Sequence, residues 1–119
     1  HQLANARREL GDLPGSIAAA TSALDLDPKN VPSLVVRAAA RKDGQQLEEA
    51  IADASRAIEL LALDPRAASK AYYTRALCRV MLGERESAIR DLEDYLRLAP
   101  QAESAARARA KLTELRQVR

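Results

Sequence analysis

The sequence predicts an all-α protein made of stacked helical hairpins, and three observations carry the prediction. Similar segments recur: Ile51 repeats Ile17, and Ala57 repeats Ala23 at the same interval. Within each segment apolar residues step by three and four, which winds them onto one face of a helix, and nowhere do they alternate as a half-buried strand requires. The chain is also rich in Ala, Leu, Arg and Glu, whose side chains lose little freedom in a helix. Self-similarity of this kind is the mark of a helical array in which each unit covers the apolar face of the next.

The elements follow in order. A first helix near 2–9 stops ahead of Gly11. The second, near 15–26, carries the stripe Ile17, Ala20 and Leu24 and ends before Asp27-Pro28, because proline disfavours helix in the residue before it. A third near 31–43 stops at Gly44. The fourth, near 46–62, repeats the stripe as Ile51, Ala54 and Ile58 and closes at Asp64-Pro65. Ile89 follows Ile51 at a longer interval than Ile51 follows Ile17, so the second unit holds extra residues, Leu61-Ala62-Leu63 and one near Ala68. Three residues are close to one helical turn of about 3.6, so the insert is expected to lengthen the fourth helix and keep its face in phase. Helices near 67–81 and 85–97 form the third unit, with Ile89, Leu92 and Leu96 as its stripe and Ala99-Pro100 as its stop. A last helix is expected over 101–117.

The 119 residues and 13.0 kDa suit one domain with a modest core. Hydrophobic residues make up 47%, yet there is no Trp, no Phe and only three Tyr. The core must therefore come from Ala, Leu, Ile and Val, with helices drawn close across alanine faces.

A formal charge of +2, from 19 basic and 17 acidic residues, points to neither nucleic acid nor membrane as a partner. After Pro100 the cations Arg107, Arg109, Lys111, Arg116 and Arg119 outnumber Glu103 and Glu114. That bias reads as a helix end complementing its own dipole, with an acidic-partner surface as the alternative. No aromatic residues interleave there, so nucleic-acid stacking has no platform. No apolar run is long enough to span a membrane, and no signal-peptide pattern opens the chain. The start at His1 reads as an excised fragment, and the single Cys78 is compatible with a reducing, cytoplasmic setting.

Catalytic chemistry finds no constellation. The one histidine is His1, Cys78 has no companion ligand and reads as a buried thiol, and the four glycines form no phosphate loop. Asp25 with Asp27, and Asp91 with Glu93 and Asp94, read as solvated helix surface, with a divalent ion or basic partner as the alternative. No enzyme, cofactor or metal site is expected.

Taken together, Gly11, Ala23, Leu24 and Asp27-Pro28, then Ala50, Ala57, Ile58 and Asp64-Pro65, then Tyr72, Arg75-Ala76, Gly83, Ala88, Tyr95, Leu96 and Pro100 make the chain resemble the tetratricopeptide repeat (TPR) family. The likeness covers 1–100, and the rest resembles the solvating helix that caps such arrays. The resemblance implies a right-handed α-α superhelix of about three TPR hairpins plus a C-terminal capping helix. Its expected division is one domain over 1–119, with a shortened repeat 1 at 1–30, repeat 2 at 31–68, repeat 3 at 69–102 and the capping helix at 101–117. Departures are changes of size: Leu34 where an aromatic is usual, Ala4, Ala38 and Ala76 for a mid-helix Gly, Ser16 for Ala, and Tyr95 at a site often filled by Ala.

In that family the first helix of each unit lines a concave groove that holds a protein segment. Residue by residue this implies Asn5 and Arg8 from the first unit, with Gln2 beside them, and Val35, Val36, Ala39 and Lys42 from the second. Lys70, Tyr73, Thr74 and Leu77 follow from the third, with Met81 at its edge and Arg107 and Lys111 from the cap. The middle of this set is apolar and its rims basic, so the expected partner is a protein or peptide with apolar anchors and acidic flanks. The competing reading makes Val35, Val36 and Leu77 ordinary core. Some relatives grip the acidic C-terminus of heat-shock chaperones with a clamp of Lys, Asn, Asn, Lys and Arg. At the matching positions stand His1, Asn5, Val36, Lys70 and Thr74, so that clamp is broken here. The leading expectation is an adaptor that binds a segment in its groove. The alternative is a structural or self-assembly module packing against copies or a neighbouring domain, and oligomeric state stays open.

Overall fold

A computed structural model describes residues 12–117 of the chain. The described residues form six α-helices: α1 (Leu13–Leu26), α2 (Val31–Asp43), α3 (Leu47–Leu60), α4 (Ser69–Met81), α5 (Arg85–Leu98) and α6 (Ala105–Gln117). A short 3-10 segment, Pro65–Ala68, precedes α4, and there is no strand among the described residues. The expected first helix near 2–9 lies outside them.

Local chemistry sets the helix starts. Asp12 caps α1, accepting from the Gly15 N–H at 2.9 Å, and Asn30 caps α2, accepting from the Ser33 N–H at 3.2 Å. Pro14 and Pro32 sit in the first turns, where no backbone donor is needed. The α2–α3 and α4–α5 hairpins close with matching bonds. The Gln46 N–H reaches the Arg41 carbonyl at 2.7 Å, and the Glu84 N–H reaches the Arg79 carbonyl at 2.8 Å. Each turn needs one left-handed residue. Gly83 fills that place in the second (φ +78°), while in the first it is Gln45 (φ +65°) and not the neighbouring Gly44.

Two sequence expectations about helix length fail. The Leu61-Ala62-Leu63 insert does not lengthen α3, which stops at Leu60; these residues form a turn, with the Asp64 N–H bonded back to the Leu61 carbonyl at 2.9 Å. Pro65 removes a donor and restricts Asp64, so a continued helix would end there anyway, and the chain has to return for α4. Likewise α6 begins at Ala105, because Pro100 ends α5 and residues 101–104 form turns first.

Each helix packs against the next along the chain, and α2 also touches α4, the next first helix. The stack measures 43 × 30 × 23 Å. Ala20, Ala38, Ala54, Ala57, Ala76, Ala88 and Ala108 are all fully buried, so the contacts between helices run over methyl groups as composition implies. One apolar cluster joins Leu24, Leu34, Ala38, Ala54, Ala57 and Ala71, and a second joins Ala76, Leu92, Tyr95, Ala108 and Leu112 with their neighbours. α6 contributes Ala105, Ala108, Leu112 and Leu115 at helical spacing and leaves its other face to solvent.

The hairpins are also joined by buried ion pairs. Arg37 on α2 donates two bonds to Asp53 on α3 (2.8 and 2.7 Å), Arg41 adds a third at 2.9 Å, and Arg37 reaches Thr21 on α1 at 3.2 Å. The same arrangement recurs in the next hairpin. Arg75 donates two bonds to Asp91 (2.9 and 2.8 Å), Arg79 adds one at 2.8 Å, and Arg75 reaches Ser55 on α3 at 3.0 Å. Arg37 and Arg75 therefore each link their own hairpin and tie it to the preceding one. The reading of Asp91 as solvated surface is corrected by this: its side chain is 3% exposed, because two guanidinium groups share its carboxylate.

Candidate functional site

A groove of about 900 Å³ runs across α2 and α4. On one side Val35, Val36 and Ala39 present methyl groups, each half-buried by packing along α2, with Lys42 at the helix end. From α4 come exposed Lys70, half-buried Tyr73 and buried Thr74, all within about one helical turn. The floor is Tyr95 of α5, whose ring lies against Tyr73 with centroids 4.8 Å apart and planes tilted by 34°. The far edge is the turn of Ala102, Glu103 and Ser104, and Leu61 completes the near wall.

The groove thus joins seven residues singled out from sequence: Val35, Val36, Ala39, Lys42, Lys70, Tyr73 and Thr74. Three others fall elsewhere. Leu77 is half-buried beyond the lining, Arg107 is exposed off the groove, and Lys111 turns to Glu114 on its own helix at 3.5 Å. Met81 is exposed at the end of α4. Gln2, Asn5, Arg8 and the clamp position His1 lie outside the described residues.

Sequence reasoning misses Leu61, Tyr95, Glu103 and Ser104 as lining residues. For Tyr95 a signal exists: its place in the third unit is that of buried Ala57 in the second, a register where the earlier units hold alanine. Leu61 belongs to the insert, which the sequence reads as helix interior.

Charge in the groove is sparse. Lys70 and Glu103 are exposed and have no ion-pair partner among the described residues, whereas the Lys42 ammonium lies 3.7 Å from Asp43. Cys78 is buried, and that burial raises its thiol pKa; Lys42 opposes the shift and Asp43 adds to it. A thiol held protonated in this way is a poor nucleophile. Among the described residues no group of three His, Cys, Asp or Glu side chains is placed to hold a metal, and no helix is long and apolar enough to cross a membrane.

No family model and no curated protein sequence matches the chain. Solved structures do. The first TPR of Spaghetti (RPAP3) bound to the HSP90 peptide SRMEEVD is 28% identical at a TM-score of 0.84, covering 96% of this chain and 85% of that one. The TPR2B domain of yeast Sti1 in its pHsp70 complex is 25% identical at 0.87, covering 99% and 94%. The second TPR domain of human RPAP3, in complex with the HSP70 peptide SGPTIEEVD, is 29% identical at 0.81, covering 97% and 90%. The protein is an all-α helical-repeat superhelix. Its fold is that of the tetratricopeptide repeat family.

Proposed function

We propose that this chain is an adaptor module that holds a protein segment in the α2–α4 groove and catalyses nothing. The observation that carries the reading is the groove itself, where valine and tyrosine surface stays partly open beside a lysine with no ion-pair partner among the described residues. An apolar surface with a charged rim is what a recognition site offers, since burial supplies affinity and the charge sets register. The similar domains support the class of guest: SRMEEVD and SGPTIEEVD each combine carboxylates with Met, Ile or Val. Guests of this chain would place an apolar side chain on Val35, Val36 and Tyr73 and an acidic one at Lys70.

The two-carboxylate grip of chaperone-binding relatives is not carried over. Val36 offers methyl groups where that grip uses an amide, and Thr74 offers one hydroxyl in place of a guanidinium fork. The test is a titration of labelled SRMEEVD against the protein and its Tyr73→Ala/Lys70→Glu variant. Binding is expected to weaken by about tenfold or more, since an aromatic anchor and a charge are both removed. Equal affinity for the two proteins would overturn the proposal.

A further inference from the structure

The groove repeats one register at two sizes. Tyr73 and Tyr95 stand in the third hairpin where Val35 and Ala57 stand in the second, both pairs at one fixed offset. Val35 is half-buried against the cluster that contains Ala57. Ala57 itself is fully buried and lies below the groove lining. Tyr95 is almost as enclosed, at 4% exposed, yet its longer side chain reaches the lining. Its ring lies against that of Tyr73, with centroids 4.8 Å apart. A ring this enclosed has no space to swing into, since protein interiors pack at nearly crystalline density. Tyr95 is therefore a rigid prop, and the half-buried ring of Tyr73 rests on it instead of sinking into the room that an alanine would leave. Over Val35, Val36 and Ala39 the groove is lined by methyl groups, whereas over Tyr73 and Tyr95 it is filled from below.

This inference rests on the peptide-binding reading and deepens it. We propose that Tyr95 is a positioning residue that sets the size of the guest side chain seated at Tyr73. By holding that ring up, it admits a compact apolar side chain such as valine and excludes one as large as phenylalanine. Overfilling a packed seat forces side chains off their preferred rotamers, so the excess volume costs affinity. The valine common to SRMEEVD and SGPTIEEVD has the size that such a seat takes. Shortening Tyr95 removes the prop, lets Tyr73 settle toward the vacated space and deepens the seat.

Four labelled peptides test it by fluorescence anisotropy with the full chain: SRMEEVD against SRMEEFD, and SRVEEVD against SRFEEVD. Each pair compares valine with phenylalanine at one apolar position. The native protein is expected to prefer valine by about tenfold at one of the two positions, the scale of a modest overpacking penalty. Tyr95→Phe keeps the ring and should keep that preference. Tyr95→Leu and Tyr95→Ala, each checked for a cooperative melt, should bring the two peptides of that pair within about threefold. The second hairpin already carries alanine in this register, and Tyr95→Leu is the milder change if Tyr95→Ala does not fold. Binding of phenylalanine within threefold of valine at both positions by the native protein would overturn the inference and leave peptide binding standing. So would a tenfold preference that survives in the folded Tyr95→Leu variant. Absence of binding by all four peptides would defeat both readings.

Discussion

Asp91→Ala is the perturbation that tests most directly how the hairpins are held. In the native protein the Asp91 carboxylate is 3% exposed and accepts from Arg75 and Arg79, which are themselves 16% and 22% exposed. Removing it leaves Arg75 without its anion and Arg79 with only the exposed Glu84, 3.9 Å away. Breaking a buried pair by deleting one partner costs about 3–5 kcal/mol, and the partial exposure of both arginines favours the lower end, about 3 kcal/mol. With an unfolding entropy of ~2.1 cal/mol/K per residue, a chain of this length would melt about 12 °C lower. The control is Asp94→Ala on the same helix. Asp94 pairs with Arg97 at 3.4 Å, but the two side chains are 41% and 66% exposed, so the loss should stay within about 0.5 kcal/mol. Thermal and urea melts followed by circular dichroism measure both. A triple variant, Asp91→Leu with Arg75→Met and Arg79→Leu, removes the whole cluster and should recover much of the loss, since the penalty lies in buried cations that have lost their carboxylate. Equal melting temperatures for Asp91→Ala and Asp94→Ala would refute the reasoning.

The other predictions concern backbone, surface and thiol. Gln45→Gly should stabilise the fold by about 1 kcal/mol in a urea melt, because a left-handed φ of +65° strains a side-chain-bearing residue. Gly83→Ala should cost about the same through φ alone, since an added Cβ meets nothing within 4 Å. Leu63→Lys should leave the melting temperature unchanged, because Leu63 is 102% exposed. Cys78 should react with a thiol reagent only as fast as the protein opens, and urea should speed the reaction. Its folded thiol keeps the proton above the ordinary pKa of 9.0, so the unfolded chain releases that proton first, and stability should fall as pH rises past that value.

Periodicity makes the hairpins legible, because a repeated stripe must be covered by a repeated neighbour. Within that frame the errors have physical causes. Three inserted residues nearly complete a turn, which favours a longer helix, but Pro65 and the need to return toward α4 outweigh phase. Residue type favours the glycines for the left-handed place, yet bond register puts Gln45 there in the first turn, so hydrogen-bond geometry decides. Asp91 reads as solvated because its neighbours Glu93 and Asp94 are at least partly so, and charge on a helix is usually outside. The spacing does hold a clue, for Arg37, Arg41 and Asp53 recur as Arg75, Arg79 and Asp91 at one fixed offset. In the groove the positions on α2 and α4 are accessible from repeat register alone. The contributions of Leu61 and the 102–104 turn are not, since they depend on where α3 stops and α6 starts.

The placement of the insert links the ion pairs to the groove. Arg37 to Arg75 and Asp53 to Asp91 span one and the same interval, whereas Thr21 to Ser55 is shorter by the length of the insert. The extra residues therefore lie after Ser55 and before Arg75, outside both hairpins' ion-pair clusters. Inside each hairpin the spacing from arginine to aspartate stays at 16 residues, so both clusters keep the same geometry. The joint between α3 and α4 absorbs the difference. That joint is also where Leu61 enters the groove wall and where the chain turns toward Ser69 and Lys70. The groove's shape is thus set by an expanded connection between two hairpins of matching geometry. If the groove holds a segment as proposed, substitutions at Leu61 should change which segment binds without changing how the stack is held, whereas substitutions at Asp53 or Asp91 should do the reverse.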